Sequence, residues 1–302
     1  MRKGFSFLEM IFVIVVIAIL AKFGTNIMAT AYISSSQTIT NNRVTQDSEL
    51  VIQQIANRLQ YRIKDSVIGR NFAGGGFQAV TAGVVGTDIL EWIGYDIDGW
   101  LGTWRTPVGA VANFNAPTWS GFIDVNDPNA WANPALNFLN SPTTDTGLAN
   151  NVIQSVRPPG SGTNFTNTAI FFTGENSDIR TDYGWQGGGA LLTQNNVAAH
   201  RITNVGAANL NDLVDATGAS FAGTNIYENY KLSWTAYAIV LQDFDGDGDN
   251  DLVLFYDYQP WEGEGFAAAQ QRLLVENVDT FVYRGIGDTL RIQVCINDGN
   301  TA

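Results

Sequence analysis

A chain of 302 residues with 45% apolar side chains is long enough for one large domain or two small ones with real cores. Its 29 acidic against 16 basic residues, a formal net charge of −13, repel a nucleic-acid backbone, and no basic stripe offsets them, so no nucleic-acid contact is expected. The single histidine, His200, excludes a multi-histidine metal site, and the single cysteine, Cys295, excludes an intrachain disulfide.

The chain opens Met1-Arg2-Lys3-Gly4-Phe5-Ser6-Phe7-Leu8-Glu9-Met10 and continues as an apolar run from Ile11 to Ala21. Counted from Phe5 this is about 17 residues, slightly short of the roughly 20 that span a bilayer. Lys22 can snorkel, which extends the segment to the apolar patch at Ile27 and Met28. Three readings compete. A secretory signal peptide shares the basic start and apolar core, but its small-residue cleavage form, Ala29-Thr30-Ala31, lies far past the end of the run. A plain membrane anchor leaves Glu9 unexplained, because a carboxylate in hydrocarbon costs a few kcal/mol. The third reading uses Glu9. The run Lys3-Gly4-Phe5-Ser6-Phe7-Leu8-Glu9 before a long apolar helix resembles the processing signal of type IV prepilins and pseudopilins.

That resemblance implies cleavage between Gly4 and Phe5 by a prepilin peptidase on the cytoplasmic side. It also implies N-methylation of Phe5 and a mature chain in which Glu9 is the fifth residue. Phe7-Leu8 stands where Thr-Leu is commoner, a departure that touches no required group. A lone carboxylate in an apolar helix is tolerated where a cation meets it. In a helical filament the freed amine of Phe5 on one subunit can meet Glu9 of its neighbour. Glu9 then sets register, as a buried polar residue does in a coiled coil. The implied partners are other pilin or pseudopilin subunits. The implied location is the inner membrane, single pass with a cytoplasmic N-terminus and periplasmic head, followed by a periplasmic or cell-surface filament.

After Lys22 there is no proline before Pro107. Val51, Ile55, Leu59, Ile63 and Val67 step by four, an amphipathic helical stripe, and Gly69 is a candidate stop. One helix is therefore expected over 5–68, with fraying possible at Ser34-Ser35-Ser36. Residues 1–4 form the expected leader and 69–302 the head.

The head begins after a joint at Gly74-Gly75-Gly76 and alternates β-type runs with turns. Strands are expected at Ile89–Ile93, Ile170–Phe172, Leu232–Leu241, Leu252–Tyr258, Thr280–Tyr283 and Leu290–Ile296. The stretch 99–167, rich in Asn, Pro, Thr, Gly and Trp, reads as an insertion of long loops. The fold class is thus α+β, with a long N-terminal helix packed on an antiparallel sheet head. The segment Leu273 to Tyr283, a turn, and Leu290 to Val294 resemble the late strands of larger minor pilins and J-type pseudopilins. The chain is about twice the usual length of a major pilin, which points to a minor subunit.

The run Asp243-Phe244-Asp245-Gly246-Asp247-Gly248-Asp249-Asn250-Asp251-Leu252 lies between two expected strands. It resembles EF-hand calcium loops and, more closely, the hairpin loops of integrin-type propeller repeats. Five carboxylates within nine residues repel one another unless a cation sits among them. A hard cation needs six or more oxygens, and alternate carboxylates in a loop supply them. Asp243, Asp245 and Asp247 are expected to converge. Asp249 contributes a carbonyl, Asp251 closes the site, and Gly248 permits the turn. Leu254 stands where an EF-hand has its bidentate Glu, so the helix–loop–helix form is disfavoured. The plain alternative is a solvated acidic turn.

Asp96-Ile97-Asp98-Gly99 and Asp124-Val125-Asn126-Asp127 are weaker acidic turns. The eight tryptophans suit core packing better than a glycan or protein contact surface. His200 and Cys295 have no catalytic partner in the sequence, and Cys295 is expected buried and inert in its strand. No nucleotide or serine-hydrolase motif occurs, so a non-enzymatic filament subunit is the expected function. A membrane-tethered calcium-binding adhesin outside any filament is the alternative.

Overall fold

The computed structural model describes residues 7–71, 76–80, 88–102, 116–127, 138–175, 177–187, 191–192, 197–207, 209–217, 221, 223–287 and 289–297. The chain is α+β: one very long helix, α1 (Phe7–Leu59, 53 residues), precedes antiparallel sheets. Proline is absent from α1, and its one glycine, Gly24, is the only strong helix breaker in it. In its polar middle, threonine hydroxyls bond back along the axis and so are satisfied without breaking the helix. Thr30 donates to the Asn26 carbonyl at 2.9 Å, Thr38 to Ser34 at 2.8 Å and Thr45 to Asn41 at 2.8 Å. The helix therefore runs unbroken through Ser34-Ser35-Ser36, where fraying was possible.

Its end falls at Leu59, nine residues before the expected end at 68. All five residues of the four-step stripe are buried, but Ile63 and Val67 are buried by other means. The Ile63 N–H donates to the Ile93 carbonyl at 2.7 Å, and Arg62 bridges Gly94, so the sheet captures the chain before another helical turn forms. A single 3₁₀ turn, Lys64–Ser66, then leads into β1 (Ile68–Arg70). Gly69, the expected helix stop, is a strand residue instead. A Cβ there would lie 2.7 Å from the Tyr283 hydroxyl, so glycine permits a close approach.

The remaining elements are β2 (Phe77–Ala79), β3 (Ile89–Gly94), α2 (Ile97–Leu101), β4 (Phe138–Asn140), α3 (Thr146–Val156), β5 (Thr168–Phe172), β6 (His200–Thr203) and β7 (Asp212–Asp215). They continue with β8 (Tyr230–Ser233), β9 (Thr235–Gln242), β10 (Asp251–Tyr258), β11 (Gln270–Val275), β12 (Val278–Ile286) and β13 (Thr289–Ile296). A six-stranded sheet has the order β11-β10-β9-β3-β1-β2, a five-stranded sheet the order β4-β7-β6-β5-β8, and β12 pairs with β13. Every described pairing is antiparallel.

Three apolar layers follow from period-two alternation. Ile89, Ile93, Ala238, Val240, Val253 and Phe255 face inward from the six-stranded sheet and meet Ala169 and Phe171 of β5. The opposite face of β5, Ile170 and Phe172, packs with Ala149 and Ile153 of α3. The opposite face of the six-stranded sheet, Leu90, Trp92, Ile239 and Leu254, packs under Val51, Ile55 and Leu59 of α1 and under Phe281 and Tyr283 of β12. The middle strands are buried on both faces, which is why Ile89–Ile93 and Thr168–Phe172 read as nearly continuous apolar runs.

Two corrections concern the head. The run Leu232–Leu241 is two strands, not one. Trp234 carries the chain from the five-stranded to the six-stranded sheet, and the Ser233 hydroxyl donates to the Gly94 carbonyl at 2.6 Å at that crossing. The stretch 99–167 is also more than loops, because it holds β4 and the eleven-residue α3. Asp145 caps α3 by accepting from the Leu148 N–H at 2.9 Å, and Ala149, Val152 and Ile153 form its buried face.

Candidate functional site

The N-terminal helix presents the first candidate. Every residue from Phe7 to Ile39 is exposed, which at 1.5 Å per residue is roughly 50 Å of helix standing clear of the head. This helix is long and apolar enough to cross a membrane, and none of its most apolar stretch is buried. Phe12, Ile14, Ile17 and Leu20 are among the side chains turned outward. Exposure of each such side chain forgoes about 1.5–3 kcal/mol of burial, which an apolar environment around the stretch would recover. Glu9 lies in the first turn, where the helix dipole favours a negative charge. It is exposed, and among the described residues nothing bonds or ion-pairs with its carboxylate. Gly4 and Phe5 lie outside the described residues, as do Gly74, Gly75, Trp104 and Trp131.

The second candidate is the hairpin between β9 and β10. Carboxylate oxygens of Asp243, Asp245 and Asp247 lie within 4.8 Å of one another, all exposed. The turn is held by its own acids: Asp243 accepts from the Gly246 N–H at 2.6 Å and the Gly248 N–H at 3.1 Å, and Asp247 accepts from the Asp249 N–H at 2.9 Å. Gly246 (φ 87°) and Gly248 (φ 99°) occupy left-handed backbone that side chains rarely adopt. An all-oxygen donor set of three convergent carboxylates fits a hard divalent cation. Asp249 and Asp251 stand outside this trio. Asp251 begins β10, is buried, and accepts from the Phe244 N–H and the Asn277 N–H, each at 3.1 Å. It therefore fastens the loop to the β11–β12 connection, and it lies outside the group of carboxylates that converge.

The weaker acidic turns serve the backbone. Asp96 caps α2, accepting from the Gly99 N–H at 3.1 Å, and is fully enclosed. Burial pushes its carboxyl up to about 7; the Gly99 bond lowers it, and the Asp98 charge adds to the rise. Asp124 accepts from the Asn126 N–H at 3.0 Å, and Asp127 accepts from the Asn140 amide at 3.2 Å. His200 is buried against the Phe172 ring at 4.9 Å, with Nε2 3.4 Å from Glu175. Cys295, expected buried, is exposed. On β13 it falls in phase with Arg291 and Gln293, while Leu290, Ile292, Val294 and Ile296 turn inward. Trp92, Trp119, Trp185, Trp234 and Trp261 are core residues, but Trp100 is exposed.

A buried charge network went unread in the sequence. The Arg70 Nε donates to Glu91 at 2.6 Å, the Tyr258 hydroxyl donates to the other Glu91 oxygen at 3.1 Å, and Arg70 also reaches the Trp185 carbonyl at 2.9 Å. Burial raises the Glu91 carboxyl, and Arg70 offsets part of that rise. The available signal was one Glu in the middle of the apolar strand Ile89–Ile93. A scan against protein-family models finds no match, and searches of curated proteins and of solved structures find none either.

Proposed function

We propose that this chain is a non-enzymatic subunit of a type IV pilin-like filament, a minor pilin or a pseudopilin. It is inserted in the inner membrane with its head outside, cleaved after Gly4, methylated at Phe5 and assembled through α1. The observation that carries the proposal is the unburied apolar first stretch of α1, whose one carboxylate, Glu9, has no partner among the described residues of its own chain. A bilayer satisfies the apolar surface but not the charge. A neighbouring subunit whose freed Phe5 amine sits against Glu9 satisfies both. The division of α1 supports the same reading: its exposed first part suits packing among helices, and Val51, Ile55 and Leu59 hold the head.

The aspartate loop is proposed as a structural calcium site held by Asp243, Asp245 and Asp247, with the Asp249 carbonyl and water completing the oxygen set. Its role is to neutralise the loop and stiffen the β9–β10 hairpin. Exchange of Glu9 for Ala tests the assembly role. The variant is expected in the membrane fraction at normal abundance and missing from sheared filaments. Its incorporation at the wild-type level would remove Glu9 from assembly.

A further inference from the structure

A cleft on the head lies far from α1's apolar stretch in sequence and is lined by different chemistry. It measures about 380 Å³ and is lined by Tyr95, Trp100, Trp119, Tyr230 and Lys231, with Asn229 and Thr173 among its polar residues. That volume is at the low end for a small-ligand site. Trp119 is the buried hub. Its ring centre lies 4.7 Å from that of Trp100, 5.8 Å from Tyr230 and 6.5 Å from Tyr95. Trp100 is 39% exposed, whereas the other described tryptophans are buried. Gly121, at φ 78°, comes so close that a Cβ would lie 2.9 Å from the Trp100 ring, so glycine leaves that ring its place.

The charge in the cleft is of the minority sign. Lys231 sets its ammonium 4.6 Å from the centre of the Tyr95 ring. Among the described residues no carboxylate forms an ion pair with it, although the chain carries 29 acids. Burial, and then the like charge of Arg62, lowers its affinity for the proton. A ligand that brings one negative charge to this ammonium offsets both by direct attraction.

We propose that this cleft binds an acidic saccharide, with the apolar face of a sugar ring stacked on Trp100 and its carboxylate paired with Lys231. An exposed indole beside buried rings offers a flat apolar platform. The side chains of Asn229 and Thr173 are exposed and supply a donor–acceptor amide and a hydroxyl for the sugar hydroxyls. A single carboxylate is the charge the site accommodates. A polyanion such as a nucleic acid meets the net charge of −13.

The test uses the full chain in lipid nanodiscs, titrated by calorimetry and tryptophan fluorescence. The probes are the methyl glycoside of a single uronic acid, its methyl ester and a short single-stranded oligonucleotide. The acid is expected to bind about tenfold or more tightly than the ester, with the difference shrinking at high salt. Trp100→Ala is expected to weaken binding of both sugars at least about tenfold, with Trp100→Phe restoring part of it. Lys231→Gln is expected to make acid and ester equal while leaving the melting temperature unchanged. Equal binding of acid and ester by the wild type, no binding of either, or preference for the oligonucleotide would overturn the proposal. Should Trp100→Ala melt early, the acid–ester comparison in Lys231→Gln decides alone.

Discussion

Exchange of Asp96 for Asn isolates one buried carboxyl and gives a large, signed effect. Asp96 accepts from the Gly99 N–H through Oδ1, and the Trp119 and Trp234 indoles that also face the carboxyl lie outside good hydrogen-bond geometry and offset only part of its burial. The folded protein therefore disfavours the charged form. Its carboxyl rises from an ordinary 3.8 to about 7. A raised value means stability that is fully present below about pH 4 and lost as pH climbs to about 7. At 1.36 kcal/mol per pH unit, the loss above pH 7 is about 4 kcal/mol. Asn keeps the Gly99 bond and carries no charge. Urea unfolding of the full chain, followed by tryptophan fluorescence, is expected to show the variant more stable by about 2–4 kcal/mol at about pH 8.5. The two proteins should approach each other at about pH 4. Glu91, Asp98 and Glu264 also have raised values, but they are present in both proteins, so the difference reports Asp96. Parallel pH profiles for the two proteins would refute the reasoning.

Arg70→Met strands Glu91 in the core and is expected to cost about 3–5 kcal/mol at neutral pH, with the double variant Arg70→Met, Glu91→Gln recovering much of it in the same urea assay. Adding calcium at about a hundred times its dissociation constant is expected to stabilise the head by about 2.7 kcal/mol over chelator. The double exchange Asp245→Asn, Asp247→Asn should abolish that increment in differential scanning calorimetry, and an unchanged melting temperature in the wild type would reject the site.

The presence and type of α1 were legible because its apolar run and its four-step stripe are long. Its end was not. Ile63 and Val67 keep the helical spacing but are buried by the Ile63–Ile93 backbone bond and by the entry into β1. The strand run at Leu232–Leu241 hid a crossing between sheets, because Trp234 and Thr235 keep a β-favouring composition through the break and only the Ser233–Gly94 bond marks it. Helix α3 carried a readable signal, Asp145 followed by Leu148, Ala149, Val152 and Ile153, inside a stretch dominated by loop-forming residues. Cys295 was misread although its phase with Arg291 and Gln293 was visible. At the aspartate loop, spacing identified Asp243, Asp245 and Asp247. Asp251 was assigned to the same cluster because its place in the β10 ladder is set by tertiary pairing, which spacing does not encode. The Trp100–Lys231 cleft joins residues about 130 positions apart, a contact that alternation alone does not report.

The central claim is that α1 is a processed assembly helix and not a plain anchor. Mass analysis of the N-terminal peptide of the native protein tests it most directly. The account predicts a chain that begins at Phe5 and carries one added methyl group on its amine. A chain that begins at Met1, or one cut beyond the apolar run near Ala31, would contradict it.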